Sequence, residues 1–244
     1  MRLLVSVMDA AEAVLAVEAG ADIADLKDPA EGSLGAPRPA TIRAVRAAVP
    51  SDVPVSVAIG DLPHLPGTAG GSGADFVKVG LWGSSTEAQA VALLRAVVDA
   101  VADRPGVQVI AAAYADATRM PSRPLPPHLV ARVAAAAGAA GCLLDTGIKD
   151  GRGLFEWLAL DEIEAIAAEA GEAGLLVALA GSLRADDLAA VRALGADIAG
   201  VRSAACRDGR RDGDLDSARV RDLRARCDEA AATPLPGGPV RSAS

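Results

Sequence analysis

Eight short apolar runs recur along the chain, each separated from the next by a polar or amphipathic stretch. They are "LLVSV" (3–7), "ADIADLK" (21–27), "VPVSVAIG" (53–60), "DFVKVG" (75–80), "VQVIAAAYA" (107–115), "CLLDTGI" (142–148), "LLVALAG" (175–181) and "DIAGVRS" (197–203). A continuous apolar run of this length suits a strand buried on both faces. Eight such strands alternating with helices at intervals of about thirty residues predict an α/β chain folded as a (β/α)8 TIM barrel. A doubly wound sheet is the alternative.

The stretches between the runs carry helix signals. Asp9 with Glu12 resembles a capping box, and Ser84 with Glu87 repeats the spacing. Further helices are expected over 38–48, 126–137, 160–172, 184–194 and 215–230. Three strands are announced by Gly-Ala-Asp, in "GADIADLK", "GADFVKVG" and "GADIAGVRS". The Gly ends a helix and the small residue lets it tuck against the sheet. One unit is weak: "DLPHLPGTAGGSGA" (61–74) has too few helix formers for a full third helix. The end, "AATPLPGGPVRSAS" (231–244), has no periodicity and reads as a flexible, disordered tail after one catalytic domain over 1–230.

Composition narrows the function. Hydrophobic residues make up 51% and aromatics only 2%, so the core falls to Ala, Val, Leu and Ile. A net charge of −8 argues against nucleic acid as a partner. Cys142, Cys206 and Cys227 are an odd number at wide spacing, which fits neither a disulfide framework nor a zinc site. His64 and His128 are the only histidines, which disfavours a His metal site, a Ser-His-Asp triad or a Cys-His dyad. The N-terminus lacks a secretory pattern, and every apolar run breaks before membrane-spanning length. A cytoplasmic protein with no membrane partner is expected.

The 24 basic residues include just three lysines, Lys27, Lys78 and Lys149; the rest are arginine. Arg serves wherever a charge suffices, so these lysines mark places where it does not. A lysine amine can lose its proton and attack a carbonyl; a guanidinium stays charged. In a barrel all three fall at the C-terminal strand ends, where active sites gather. Asp25 shares a strand face with Lys27, and Asp145 and Gly147 share one with Lys149 if the strand continues that far. Neighbouring cations and burial would depress an amine's pKa and free it for imine formation.

Phosphate binding is expected at two places. "LAGSL" (179–183) and "GVRSAAC" (200–206) follow the seventh and eighth strands, with Gly181, Ser182, Gly200, Arg202 and Ser203 as candidates. "GLWGSS" (80–85) offers a second turn, with Gly80, Gly83 and Ser84. Weaker candidates are Tyr114 and Asp116 for proton transfer, Asp61 at the end of the third strand, and Glu31 and Ser33 for ordering the loop over Lys27.

The motifs "GADIADLKDPAEGSLGAP", "GADFVKVGLWG", "AAAYADA", "LLDTGIKDG", "LAGSL" and "ADIAGVRSAAC" resemble the (5-formylfuran-3-yl)methyl phosphate synthase family, from residue 1 to about 228. The resemblance implies a TIM-barrel lyase that condenses two glyceraldehyde 3-phosphate molecules to a phosphorylated furan aldehyde, toward methanofuran-type C1 carriers. It implies that Lys27 forms the Schiff base, that Lys78 accepts a proton, and that Asp25, Asp145 and Lys149 surround them. No metal, flavin, nicotinamide or other cofactor is called for, and a homo-oligomer is expected. The segment 66–73, "PGTAGGSG", is shorter than the family pattern. The alternatives are a Schiff-base aldolase on another sugar phosphate and a barrel that binds a phosphorylated ligand without catalysis.

Overall fold

Eight parallel strands pair in chain order, and the eighth closes on the first. A computed structural model describes residues 1–63, 73–122 and 124–229. The strands are β1 (Arg2–Val7), β2 (Ile23–Leu26), β3 (Val55–Asp61), β4 (Phe76–Gly80), β5 (Gln108–Tyr114), β6 (Gly141–Asp145), β7 (Leu176–Leu179) and β8 (Ile198–Val201). Around them pack α1 (Ala10–Glu18), α2 (Pro39–Ala48), α3 (Glu87–Ala100), α4 (Val130–Ala137), α5 (Leu160–Glu172), α6 (Leu188–Ala193) and α7 (Ser217–Asp228). The molecule is thus a (β/α)8 barrel, and the doubly wound alternative is excluded by the closure. The reduced third helix and the flexible tail fall mainly on 64–72 and 230–244, outside the described residues. Among the described residues, no helix is long and apolar enough to cross a membrane.

Most strands stop earlier than their apolar runs. Lys27, Ala115, residues 146–148 and residues 202–203 lie beyond the last paired residue, on the rim. The run continues because the rim is buried, while the hydrogen-bonded ladder has already ended. Two helix starts also differ from expectation. Thr86, not Ser84, caps α3, its hydroxyl accepting from Gln89 N–H. Glu12 accepts from Met8 N–H at 2.8 Å, one residue short of the Asp9 that a capping box requires. Asp9 itself caps α1 by accepting from Glu12 N–H at 2.9 Å.

The Gly-Ala-Asp repeat has a second use at the opposite, N-terminal end of the barrel. Gly20, Gly73 and Gly195 adopt φ of +103°, +72° and +79°, a left-handed backbone suited to glycine. Each following aspartate then grips the preceding strand. Leu3 N–H donates to Asp22 at 2.6 Å, Val55 N–H to Asp75 at 2.8 Å and Val177 N–H to Asp197 at 2.8 Å. The three aspartates return a backbone N–H to the carbonyls of those same residues, Leu3, Val55 and Val177. These clamps set the register of β1–β2, β3–β4 and β7–β8 from below.

Two apolar layers fill the molecule. The larger lies between strands and helices and is mainly Ala, Val, Leu and Ile. The smaller fills the lower barrel with Leu4, Ile23, Phe76, Ile110, Leu143 and Ile198. Above it the barrel interior changes character.

Candidate active site

Two residues beyond that apolar floor, strand alternation points Ser6, Asp25, Lys78 and Asp145 inward. With Lys27 and Lys149 they line one cavity of about 340 Å³ at the C-terminal strand ends. Ala178, Ala180 and Gly200 complete the wall on the β7–β8 side, and their small size leaves space for the long amines. The structure therefore brings all three lysines together with both carboxylates.

The amines differ in their partners. Lys78 Nζ lies 2.6 Å from both oxygens of Asp25, which is completely buried and also accepts from Ser6 Oγ at 3.0 Å. Lys149 Nζ lies 2.8 Å from Asp145 Oδ1 and 3.2 Å from Thr146 Oγ1. Among the described residues, Lys27 makes no ion pair, although it is only 9% exposed. The sequence places Asp25 next to Lys27 on one strand face, yet the carboxylate turns to Lys78 across the barrel.

The electrostatics follow from these pairings. Burial pushes Lys27 down to about 8; the Lys78 and Lys149 amines add to the drop, while Asp145 and Asp25 oppose it. Burial alone would raise Asp145, but the Lys149 and Lys27 amines and the Thr146 N–H hold it at about 2. Burial opposes Asp25 in the same way, and the Lys78 and Lys27 amines bring its net shift below the usual carboxylate value. Near neutral pH the cavity thus holds two anionic carboxylates and an amine, Lys27, that releases its proton readily.

Lys149 comes to the cavity by a route that strand geometry does not give. β6 ends at Asp145, and the chain then turns so that Lys149 reaches back to Asp145 four residues earlier. Asp116 holds this turn by accepting from Gly147 and Ile148 N–H, each at 2.7 Å. Ser33 Oγ donates to Thr146 O at 2.9 Å and ties the loop beyond Lys27 to the same turn. Asp116 and Ser33 thus shape the rim, while Glu31 is exposed on a short 3-10 turn.

Gly181 (φ +94°), Ser182 (φ +50°) and Ser203 line the β7–β8 side of the cavity. Among the described residues, the Gly181 and Ser182 N–H groups have no protein acceptor. A left-handed pair with free donors is a ready anion cradle, and the strain at Ser182 marks it as specialised. Gly200 contributes space rather than donors, since a Cβ there would lie 3.1 Å from Ala180.

Arg202 has a different task from the one its position suggested. Its guanidinium donates to both Glu12 oxygens, at 2.6 and 3.0 Å, and to the carbonyls of Ser6, Arg211 and Gly213. A guanidinium has five N–H groups, and these bonds engage them all, so none is left for a phosphate.

Gly80, Gly83 and Ser84 lie away from the cavity. A Cβ on Gly80 would fall 1.8 Å from Asp61 Oδ1, and one on Gly83 1.6 Å from Leu62 O. Ser84 is buried and donates to Leu81 O at 2.8 Å. The turn after β4 packs back on the end of β3 instead of facing the axis. Gly80 makes room for Tyr114 to donate to Asp61 at 2.7 Å. Burial raises both groups, and Asp61 raises Tyr114 further. That pair locks β3 to β5 outside the cavity. Cys227 packs in α7, and all three cysteines are buried and free. Among the described residues, no three His, Cys, Asp or Glu side chains converge as a metal site would need.

Solved structures share this architecture at low identity. A 3-hexulose-6-phosphate synthase superposes with TM-score 0.62 at 21% identity, covering 93% of this chain and 99% of that one. Phosphoribosyl anthranilate isomerase from Thermus thermophilus gives 0.61 at 19%, covering 93% and 98%. These establish the fold alone. Sequence relatives are much nearer. The (5-formylfuran-3-yl)methyl phosphate synthase of Methanopyrus kandleri is 47% identical over 231 residues, 91% of this chain and 97% of that one. Its namesake in Methanothermobacter thermautotrophicus is 43% identical over 232 residues, 92% and 98% of the two chains. The family model described as 4-HFC-P synthase matches residues 3–224, an interval that holds every lysine and both cavity carboxylates. The chain belongs to the 4-HFC-P synthase family.

Proposed function

We propose that this enzyme condenses two glyceraldehyde 3-phosphate molecules to (5-formylfuran-3-yl)methyl phosphate, as a carbon–oxygen lyase working through an imine on Lys27. The observation that carries this reading is the division of labour among the lysines. Lys27 is buried, without an ion-pair partner among the described residues and depressed to about 8, while Lys78 and Lys149 each hold a carboxylate. Such an amine is a nucleophile near neutral pH, and its two neighbours are poised for proton traffic.

The steps follow from this arrangement. One triose phosphate isomerises through an enediol to its ketone form, which needs a base. Lys27 attacks the ketone carbon and water leaves, giving an iminium that acts as an electron sink. Lys78, hydrogen-bonded to Asp25, takes a proton from the second triose phosphate, whose enediol expels its phosphate to leave a three-carbon enol. The terminal carbon of that enol bonds to the iminium carbon on Lys27, which gives the branched skeleton of the furan. Expulsion of the Lys27 amine, ring closure by the hydroxymethyl oxygen onto the new ketone and loss of water then aromatise the ring. Overall, two triose phosphates yield the furan phosphate, one phosphoric acid and two waters, with no oxidant or reductant. The Asp145–Lys149 pair serves the later proton transfers. Gly181, Ser182 and the Ser203 turn hold the retained phosphate through backbone N–H groups.

Incubation with glyceraldehyde 3-phosphate tests the proposal by ultraviolet and mass analysis. A conjugated furan aldehyde should appear with release of inorganic phosphate. A saturated aldol of two trioses, or no product at all, would overturn it.

A further inference from the structure

With the β4 turn packed away from the cavity, a second phosphate needs another holder. The connection from β8 to α7 supplies a candidate. Residues 207–216 fold into a tight loop, closed by a bridge between Cys206 and Leu215 and by Arg207 N–H donating to Asp214 O. Its two adjacent arginines are treated differently. Arg210 is exposed at the cavity mouth and is paired there with Asp212, so its charge is already met. Arg211 turns inward, lines the cavity, and also borders a small adjoining crevice beside Lys27. Its Nη2 is buried without a hydrogen-bond partner among the described residues. An unpartnered buried guanidinium nitrogen is costly, and an anion arriving in the cavity would relieve that cost.

The loop is held so as to present this group. Arg202 donates to Arg211 O at 2.8 Å and to Gly213 O at 2.8 Å, while Glu12 grips Arg202 from the start of α1. A completely satisfied arginine therefore fixes the backbone on which an unsatisfied one is mounted. We propose that Arg211 binds the phosphate of the second triose phosphate, with Arg202 and Glu12 as positioning residues. This assignment rests on the proposed condensation, which requires two phosphorylated substrates in one cavity. The backbone cradle at Gly181–Ser182 lies on the β7–β8 side, and Arg211 lies toward Lys27, so the two phosphates occupy separate positions. Arginine's planar fork suits bidentate phosphate recognition, which a lysine cannot reproduce.

Two measurements on the wild type, Arg211→Gln, Arg211→Lys and Glu12→Gln test this. The first is calorimetric titration with inorganic phosphate. The second is steady-state turnover of glyceraldehyde 3-phosphate, with borohydride trapping at Lys27. Arg211→Gln should weaken one phosphate site and raise KM by about 10- to 100-fold, while the first triose still traps on Lys27. Arg211→Lys should recover part of the loss, and Glu12→Gln should shift KM in the same direction by less. Wild-type phosphate affinity and KM in Arg211→Gln would overturn the assignment. So would loss of trapping, which would make Arg211 a holder of the first substrate. If the wild type makes no furan, the condensation reading fails, yet the phosphate titration still decides whether Arg211 is an anion site.

Discussion

In the proposed condensation Lys27 is the reacting amine, because among the described residues it is the one lysine without a carboxylate of its own. Its position near 8 has two measurable consequences. Imine formation needs the neutral amine, so kcat/KM should climb with pH and reach half its plateau near pH 8. A profile flat from pH 6 to 9 would remove the depressed amine from the mechanism. The second consequence is a cost in stability. An amine whose pKa is lower folded than unfolded binds its proton more weakly in the native state. The native state is therefore disfavoured below pH 8, and the cost fades between pH 8 and the ordinary lysine value near 10.5. Lys27→Met should unfold later than the wild type at pH 7, by about 1–3 kcal/mol, with the gap closing toward pH 10.5. Equal denaturation midpoints at both pH values would contradict this.

The elements of the two barrel ends contribute differently. At the N-terminal end, Asp22, Asp75 and Asp197 bind strand N–H groups and stand far from the cavity. At the C-terminal end, Asp116 binds two N–H groups of the turn that carries Lys149. Asp197→Ala should cost about 1–3 kcal/mol of stability, through an orphaned strand N–H, and leave kcat within a factor of two to three. Asp116→Ala should cost a similar amount and also lower kcat by tenfold or more, because the Lys149 turn loses its anchor. Chemical denaturation beside steady-state kinetics separates the two. Equal kinetic effects would mean that the turn after β6 does not depend on Asp116. The eight strands were legible because strands buried on both faces leave continuous apolar runs. Their ends were not, since the rim past Leu26 or Asp145 stays buried after the ladder stops. The "GLWGSS" turn misled because glycines there make room for Asp61 and Leu62 and not for a ligand.

For the molecule as a whole, the barrel turns residues far apart in sequence into one charge cluster. Counting lysines was enough to find the amines, because an arginine-rich chain keeps so few of them. Their partnerships were hidden, because pairing Asp25 with Lys78 spans the barrel and depends on cross-strand register. Arg202 was hidden for the same reason: Glu12 and Ser6, which it holds, lie almost the whole chain away. Arg211 sits in "RDGRRDGD", where alternating charges read as a solvated loop and do not distinguish one arginine from the next. The proposed chemistry depends on which amine meets the substrate carbonyl. Borohydride reduction during turnover of glyceraldehyde 3-phosphate, followed by peptide mass analysis, reads this directly. The predicted result is one reduced triose phosphate adduct on the peptide containing Lys27, absent in Lys27→Arg and retained in Lys78→Arg even though its turnover falls by about 10²–10⁴. An adduct on Lys78 or Lys149 instead, or furan production by Lys27→Arg, would contradict it.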